Sequence, residues 1–351
     1  MNMPNLNHLV PDKRFGTKAN GGKYIPRRLP GFDQPDVEVL ATAVRQHWNV
    51  IKLGPTGNGK TSAIQAVCAD NEWPLAIVNC NGMTTVEDLV GQVLPTETAD
   101  RDVTALIDRL AAAKQQTLLA KSRKDGEGYL KAQMEQTRAE LELDDAYRDG
   151  GSGLEWHDGV LVSLMKGSNE HEHTVLLADE INFGPAKVLS VINGVTDDRR
   201  QLTLAQHKGE VVQAHPGFSF MAAMNPNYEG TRPLNKALRD RFHLTLSYDY
   251  DEEIEAQLIP NDRLRGLAKK LRDMHAKEEL LTPTSTRGLL HFMEIESVLG
   301  TPAAIESFVS TFEEDERAAV RESMSLHLRG GAGTKGAGIG TTEINDPNEV
   351  N

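Results

Sequence analysis

The chain has 351 residues and carries 38 Lys and Arg against 51 Asp and Glu, a formal net charge of −13, which argues against a broad non-specific nucleic-acid surface. Hydrophobic residues make up 39% and charged residues 25%, ordinary values for a soluble globular protein long enough for one large domain plus a smaller one. No apolar run approaches the roughly 18–20 residues of a membrane span, and Met1–Lys23 lacks the apolar core of a secretion signal, so no membrane association and a cytoplasmic location are expected.

Residues 1–35 are rich in Pro, Gly and Asn and read as a mostly irregular arm. From Asp36 to Gln46, Val37, Leu40, Ala41 and Val44 recur at helical spacing. Five short apolar strands are predicted at Asn49–Leu53, Leu75–Cys80, Thr174–Ala178, Phe218–Met224 and Phe242–Leu246, each flanked by turn or helix signals. Strands alternating with helices give an α/β fold with a parallel five-stranded sheet covered on both faces, in a core spanning 36–250. Two stretches interrupt it. Residues 98–153 read as a helical hairpin, with Ala105, Leu106, Leu110 and Ala113 in one helix and Leu130, Met134, Leu141 and Tyr147 in the other. Gln201–Leu204 and Glu210–Gln213 flank a turn at His207-Lys208-Gly209 and read as a β-hairpin. After Tyr250 come amphipathic helices at Asp251–Leu258, Asp262–His275, Thr286–Leu299 and Pro302–His327, a separate helical lobe over 251–327. The stretch from 328 on has almost no large apolar residue and is expected to be disordered. Cys68 and Cys80 fit no metal spacing and read as reduced, apolar side chains.

The strongest chemical signal is Gly54-Pro55-Thr56-Gly57-Asn58-Gly59-Lys60-Thr61, the phosphate-binding loop pattern between a predicted strand and a helix opening at Ser62. Glycines let backbone N–H groups turn inward around phosphates, and the helix adds its positive end. Lys60 is expected to reach the β- and γ-phosphates and Thr61 to hold Mg²⁺. Asp179 and Glu180 end a buried strand: the first suits the Mg²⁺ shell, the second the alignment of an attacking water. Asn225 ends the next strand, where it is expected beside the γ-phosphate. Arg239 and Arg241 sit at the core's edge, far in sequence from the loop, where an arginine can reach a neighbouring subunit's γ-phosphate; Arg241 is the first choice and Arg239 the second. Ser285 or Thr286 is a plausible N-cap, and Arg287 in the first turn opposes the helix dipole unless an anion lies near it. Tyr24-Ile25-Pro26 and Leu29-Pro30-Gly31-Phe32 either pack near the nucleotide base or form a plain surface arm.

This order of motifs resembles the AAA+ ATPases, in which Lys60 and Thr61 correspond to Walker A, Asp179 and Glu180 to Walker B, Asn225 to sensor 1, Arg241 to the arginine finger and Arg287 to sensor 2. The resemblance runs from about Tyr24 to Leu326 and is closer to the helix-2-insert group, which includes MoxR, NorQ/CbbQ and GvpN-type proteins and the dynein-related domains. Thr84-Thr85-Val86-Glu87-Asp88-Leu89-Val90-Gly91 looks like the entry to helix 2, and Trp156-His157-Asp158-Gly159-Val160-Leu161 like the return from its insert. Asp179-Glu180-Ile181-Asn182, His215-Pro216-Gly217-Phe218, Asn225-Pro226-Asn227-Tyr228 and Asp240-Arg241-Phe242 are similar to the group's versions. The resemblance implies ATP hydrolysis with Mg²⁺ in a homo-hexameric ring, the nucleotide between subunits, and chaperone-like remodelling of a protein client. A partner with a von Willebrand factor A domain is often part of such systems. The hairpin over 98–153 departs from the group's usual length and is expected to project from a ring face or line its mouth, where it engages a partner or substrate. Two rival readings stand beside this one. A nucleic-acid motor would use Lys208, Arg199 and Arg200 in a pore. A non-catalytic nucleotide-gated scaffold is disfavoured by the intact Glu180 and Asn225.

Overall fold

Thr174-Val175-Leu176-Leu177-Ala178 has no polar residue after its first and no exposed one, which is what a strand covered on both faces demands. A computed structural model describes residues 4–95, 101–122, 126–148, 154–226 and 233–328. The chain divides into two compact units, one formed by the chain up to Gly54 and by Gly59–Tyr248, the other by Pro55–Asn58 and the chain from Asp249 on.

In the first unit the order is α1 (Asp36–Arg45), β1 (Val50–Leu53), α2 (Lys60–Asn71), β2 (Leu75–Asn79), α3 (Val86–Val90), β3 (Gly91–Pro95), α4 (Arg101–Ser122), α5 (Gly126–Arg148), β4 (Leu154–Asp158) and α6 (Val160–Lys166). Then follow β5 (Thr174–Asp179), α7 (Ala186–Thr196), β6 (Gln201–Leu204), β7 (Glu210–Gln213), β8 (Phe218–Met224), α8 (Lys236–Arg239) and β9 (Leu244–Ser247). Five strands form one parallel sheet in the order β2-β5-β8-β1-β9. Alternate residues feed two cores. Leu176, Phe220 and Ile51 face the side where Leu161, Leu164, Ile181 and Ile192 pack. Val175, Leu177, Met221 and Val50 face the side of Leu40, Val44, Ile64 and Val67. The register Ile51↔Ala222 and Leu53↔Met224 brings the carboxyl ends of β1 and β8 level. That end of the sheet is where ligands sit in open α/β folds.

The arm before α1 is not a plain surface arm. It makes three single 3₁₀ turns (Asn7–Leu9, Lys13–Phe15, Lys18–Asn20), and Tyr24, Ile25 and Leu29 are buried. Asp70 of α2 accepts hydrogen bonds from the Thr17 amide (3.1 Å) and hydroxyl (2.7 Å), pinning the arm to that helix.

The interruption between α3 and α6 contains the expected helical hairpin, α4–α5, but it stands on a two-stranded antiparallel ribbon, β3–β4, whose second strand takes Trp156-His157-Asp158 where the return into helix 2 is expected. Gly91 starts the ribbon with φ 124°; a Cβ there would lie 2.3 Å from the His157 carbonyl, so only glycine allows the chains to meet. Trp156 donates to Asp158 (2.8 Å) and stacks on His207 of the β6–β7 hairpin, ring centroids 5.0 Å apart.

The second unit is helical: α9 (Glu252–Leu258), α10 (Asp262–Ala276), α11 (Thr286–Leu299), α12 (Thr301–Val309) and α13 (Arg317–Leu328). Asp251, Asn261 and Ser285 accept amide hydrogen bonds as N-caps of α9, α10 and α11. Ile259, Leu267, Leu271, Phe292, Phe308 and Val320 belong to its own core. The single helix expected over Pro302–His327 is two, separated by an acidic turn. There the Glu316 carboxylate accepts from the amides of Thr282 (3.2 Å) and Glu313 (3.2 Å), a use of backbone N–H groups that a continuous helix would not leave available. The expected disordered tail lies outside the described residues beyond 328.

Candidate nucleotide site

The loop between β1 and α2 takes its shape from positive backbone angles. Gly57 and Gly59 have φ of 73° and 88°, and Gly59 is the N-cap of α2. A side chain at Gly59 would press on Arg27, whose Nη2 would be 3.2 Å from the added Cβ. The Lys60 ammonium donates to the Gly54 carbonyl at 2.7 Å, inside the curl of the loop, and the Lys60 side chain is largely buried. Gly54 N–H in turn donates to Met224 O at 3.3 Å, tying the loop to the end of β8.

Thr61 and Asp179 are 118 residues apart, yet the Thr61 hydroxyl donates to Asp179 Oδ2 at 2.6 Å. A hydroxyl and a carboxylate brought together in this way are hard oxygen donors, the chemistry that suits Mg²⁺. Glu180 follows with φ 53°, a left-handed conformation uncommon for a side-chain-bearing residue. Its amide donates to Asp179 Oδ1 at 3.1 Å, so β5 turns sharply and leaves the Glu180 side chain exposed. Asn225 lies just past β8. Its carbonyl accepts from the buried Asn182 amide at 3.0 Å, a link between the β5 and β8 ends that the sequence reading missed.

A second unforeseen feature lies under the loop. Asp36, fully buried at the start of α1, accepts hydrogen bonds from the hydroxyls of Tyr24 (2.5 Å) and Tyr248 (3.0 Å) and from the Arg27 amide (3.0 Å). Two cations approach the Tyr248 ring, Lys52 Nζ at 5.1 Å and the Arg27 guanidinium carbon at 5.6 Å from its centroid. Lys52, on β1, is 0% exposed, and its ammonium has no hydrogen-bond partner among the described residues. Burial pushes it down to about 7, against the pull of Asp36 and Asp179. Burial likewise pushes both tyrosine hydroxyls well up, with the Asp36 charge adding to the effect. The same cause holds the free thiols inert: Cys68 is driven up and Cys80 to about 12. The sequence signal for this cluster was a lysine inside an otherwise apolar strand.

The two candidate arginines differ. Arg241 is held within its own chain, Nη1 donating to Asn193 Oδ1 at 2.6 Å and Nη2 to Asp197 Oδ2 at 3.1 Å. Asp197 sits at about 2, lowered by the Arg199 amide and side chain and by Arg241. Arg239, at the end of α8, is exposed and makes no side-chain contact of this kind among the described residues. Arg199 is tied to Asp197 (3.1 Å), and the half-buried Arg200 donates to the Phe218 carbonyl, so two of the three cations a nucleic-acid pore would need are engaged.

In the second unit, Ser285 caps α11 through the Gly288 amide (3.0 Å). A Cβ on Gly57, in the loop segment that belongs to this unit, would meet Ser285 Cβ at 3.0 Å and Arg287 Cβ at 3.1 Å. Arg287 is therefore next to the loop tip. Thr286 donates to the buried Glu255 (2.5 Å), which also receives both terminal nitrogens of Arg272 (2.8 and 2.6 Å). The Arg272 guanidinium lies 3.6 Å over the Tyr250 ring. This network fixes the first turn of α11 and hence the start of the Arg287 side chain.

Residues 104–242 match the family described as AAA domain, dynein-related subfamily. The matched span holds Asp179, Glu180, Asn225, Arg239 and Arg241. An uncharacterised protein of Staphylococcus aureus is 28% identical over 287 residues, covering 77% of this chain and 86% of its own length. One from Staphylococcus epidermidis is 27% identical over 306 residues, covering 81% and 92%. A crystal structure of a Cytophaga hutchinsonii protein aligns over 84% of this chain and 88% of that one, at 15% identity and a TM-score of 0.39. The five-stranded parallel sheet with its phosphate loop is an α/β fold of the P-loop NTPase kind, and within it residues 104–242 are similar to the dynein-related AAA domain.

Proposed function

We propose that the chain hydrolyses ATP with Mg²⁺ in a ring of identical copies, a hexamer by resemblance, and uses turnover to remodel or activate another protein, in the manner of MoxR and NorQ/CbbQ-type proteins. The observation that carries the nucleotide reading is the Thr61 hydroxyl on the Asp179 carboxylate at 2.6 Å, at the open side of a loop whose Lys60 is folded inward.

Bound Mg²⁺ would neutralise charge on the phosphate oxygens. The chain's own groups do the rest. Lys60 exchanges the Gly54 carbonyl for phosphate oxygens, and the loop amides and the α2 N-terminus receive the remaining negative charge. Thr61 and Asp179 would hold the ion. Glu180 accepts a hydrogen bond from the attacking water and aligns it with the γ-phosphorus, and Asn225 is the second polar group there. Arg287 corresponds by resemblance to sensor 2, the arginine that answers to phosphate charge. For the arginine that crosses from a neighbouring copy we favour Arg239, because Arg241 is already committed to Asn193 and Asp197. The client is a protein, and one with a von Willebrand factor A domain is the expected partner.

The test is phosphate release alongside nucleotide binding. Glu180→Gln is expected to lower hydrolysis by about 10²-fold or more while ATP still binds, and Lys60→Ala to weaken binding itself. Undiminished release by Glu180→Gln would reject the hydrolytic reading and favour a nucleotide-gated scaffold.

A further inference from the structure

Two hydrogen bonds hold the backbone on either side of Asn225. The Met224 carbonyl, in the peptide that precedes it, accepts from the Gly54 amide of the phosphate loop at 3.3 Å. The Asn225 carbonyl, in the peptide that follows, accepts from Asn182 Nδ2 at 3.0 Å. Pro226 comes next, and a residue before proline is biased toward extended backbone. The direction in which the Asn225 side chain leaves the chain is therefore set by partners on two other segments, the phosphate loop and the turn after β5.

Asn182 is poorly explained as a packing residue. It lies in the 3₁₀ turn Ile181–Phe183, which starts directly after Glu180. That turn closes on its own backbone: Phe183 N–H donates to the Glu180 carbonyl at 2.9 Å and Gly184 N–H to the Ile181 carbonyl at 3.1 Å. It does not need the Asn182 side chain. Asn182 is 3% exposed, and its Oδ1 is buried with no hydrogen-bond partner among the described residues. A buried acceptor left in this way costs stability, which a leucine of similar size would not. The contact that its amide does make is the one to the Asn225 carbonyl. Through it Asn225 is tied to a residue two positions from Glu180, so one side chain joins the two groups assigned above to the γ-phosphate and its attacking water.

We propose that Asn182 is a positioning residue for turnover, fixing the Asn225 side chain relative to Glu180 through the Asn225 carbonyl. This rests on the hydrolytic reading above. The test follows single-turnover phosphate release, ATP binding and the thermal midpoint in wild type, Asn182→Leu, Asn225→Ala and the double variant. Asn182→Leu is expected to bind ATP as wild type does, to keep or raise the midpoint, and to release phosphate about 10- to 10²-fold more slowly, the scale of a misplacement of about 1 Å. In the Asn225→Ala background the same substitution should bring no further loss, because the side chain it aims is gone. Undiminished release by Asn182→Leu, or losses that multiply in the double variant, would overturn the proposal and leave hydrolysis standing. A rate that falls only in step with the midpoint, in Asn182→Leu and again in the smaller Asn182→Ala, would make Asn182 a structural residue and overturn it equally. A wild-type chain that binds ATP and releases no phosphate would remove the hydrolytic reading and this one with it.

Discussion

Lys52 is the residue whose environment is hardest to explain by packing alone. An unfolded lysine stays protonated to about 10.4, whereas Lys52 in the folded chain gives up its proton near 7. Between those values the unfolded chain binds more protons, so wild-type stability should rise with pH above about 7, by at most about 1.4 kcal/mol per pH unit. Lys52→Met is expected to remove that slope in urea midpoints taken from pH 7 to 9.5. A parallel slope in both proteins would mean that Lys52 stays charged and is held by groups other than those seen. The loop itself was legible from eight consecutive residues, because its chemistry needs glycines and Lys-Thr in fixed order. The Asp36–Tyr24–Tyr248–Lys52 cluster was not, because Asp36 and Tyr248 stand 212 positions apart in sequence and meet only in the folded chain. At the same scale the arginines separate. Arg241→Ala should lower the thermal midpoint by freeing α7 and α8 from each other, with loss of turnover following the loss of fold. Arg239→Ala should leave the midpoint unchanged and cut turnover by roughly 10³–10⁵-fold if it crosses the seam.

Elements buried on both faces were the most readable. β5 and β8 announce themselves as apolar runs, and the helical hairpin by its period. The β3–β4 ribbon escaped because Gly91-Gln92-Val93-Leu94-Pro95 follows a helix without a break and its partner strand begins 59 residues later than its own end. Pro95 also argues against a strand when read alone. The break between α12 and α13 escaped for the opposite reason: Glu313-Glu314-Asp315-Glu316 is compatible with a helix, and only the demand of Leu281 and Thr282 amides for an acceptor takes Glu316 out of one. In the helical unit, Glu255 and Arg272 are 5% and 17% exposed at their side chains, and the Glu255 carboxylate accepts two hydrogen bonds from Arg272 and one from Thr286. Glu255→Ala should cost about 3–5 kcal/mol locally, because it strands the Arg272 charge. Hydrogen exchange is the measurement: amides of α9, α10 and the first turn of α11 should lose protection while β5 and β8 keep theirs. Unchanged protection in α11 would detach Arg287 from this network.

At the scale of the whole molecule, the proposed hydrolytic centre is one that a single chain would not complete. In the proposed mechanism the phosphate loop, Asp179 and Glu180 would supply the cradle, the ion ligands and the water-aligning group. Under that proposal the arginine comes from a neighbouring copy: Arg241 is engaged by Asn193 and Asp197, and Arg239 lies exposed at the end of α8. The most direct measurement is complementation. A Lys60→Ala chain and an Arg239→Ala chain, each unable to turn over ATP alone, are mixed at equal concentration and phosphate release is followed. Recovery of a fraction of wild-type turnover in the mixture is the expected result, since some seams then join an intact cradle to an intact arginine. No recovery from two folded, co-assembling variants, or full turnover by the Arg239→Ala chain alone, would contradict it.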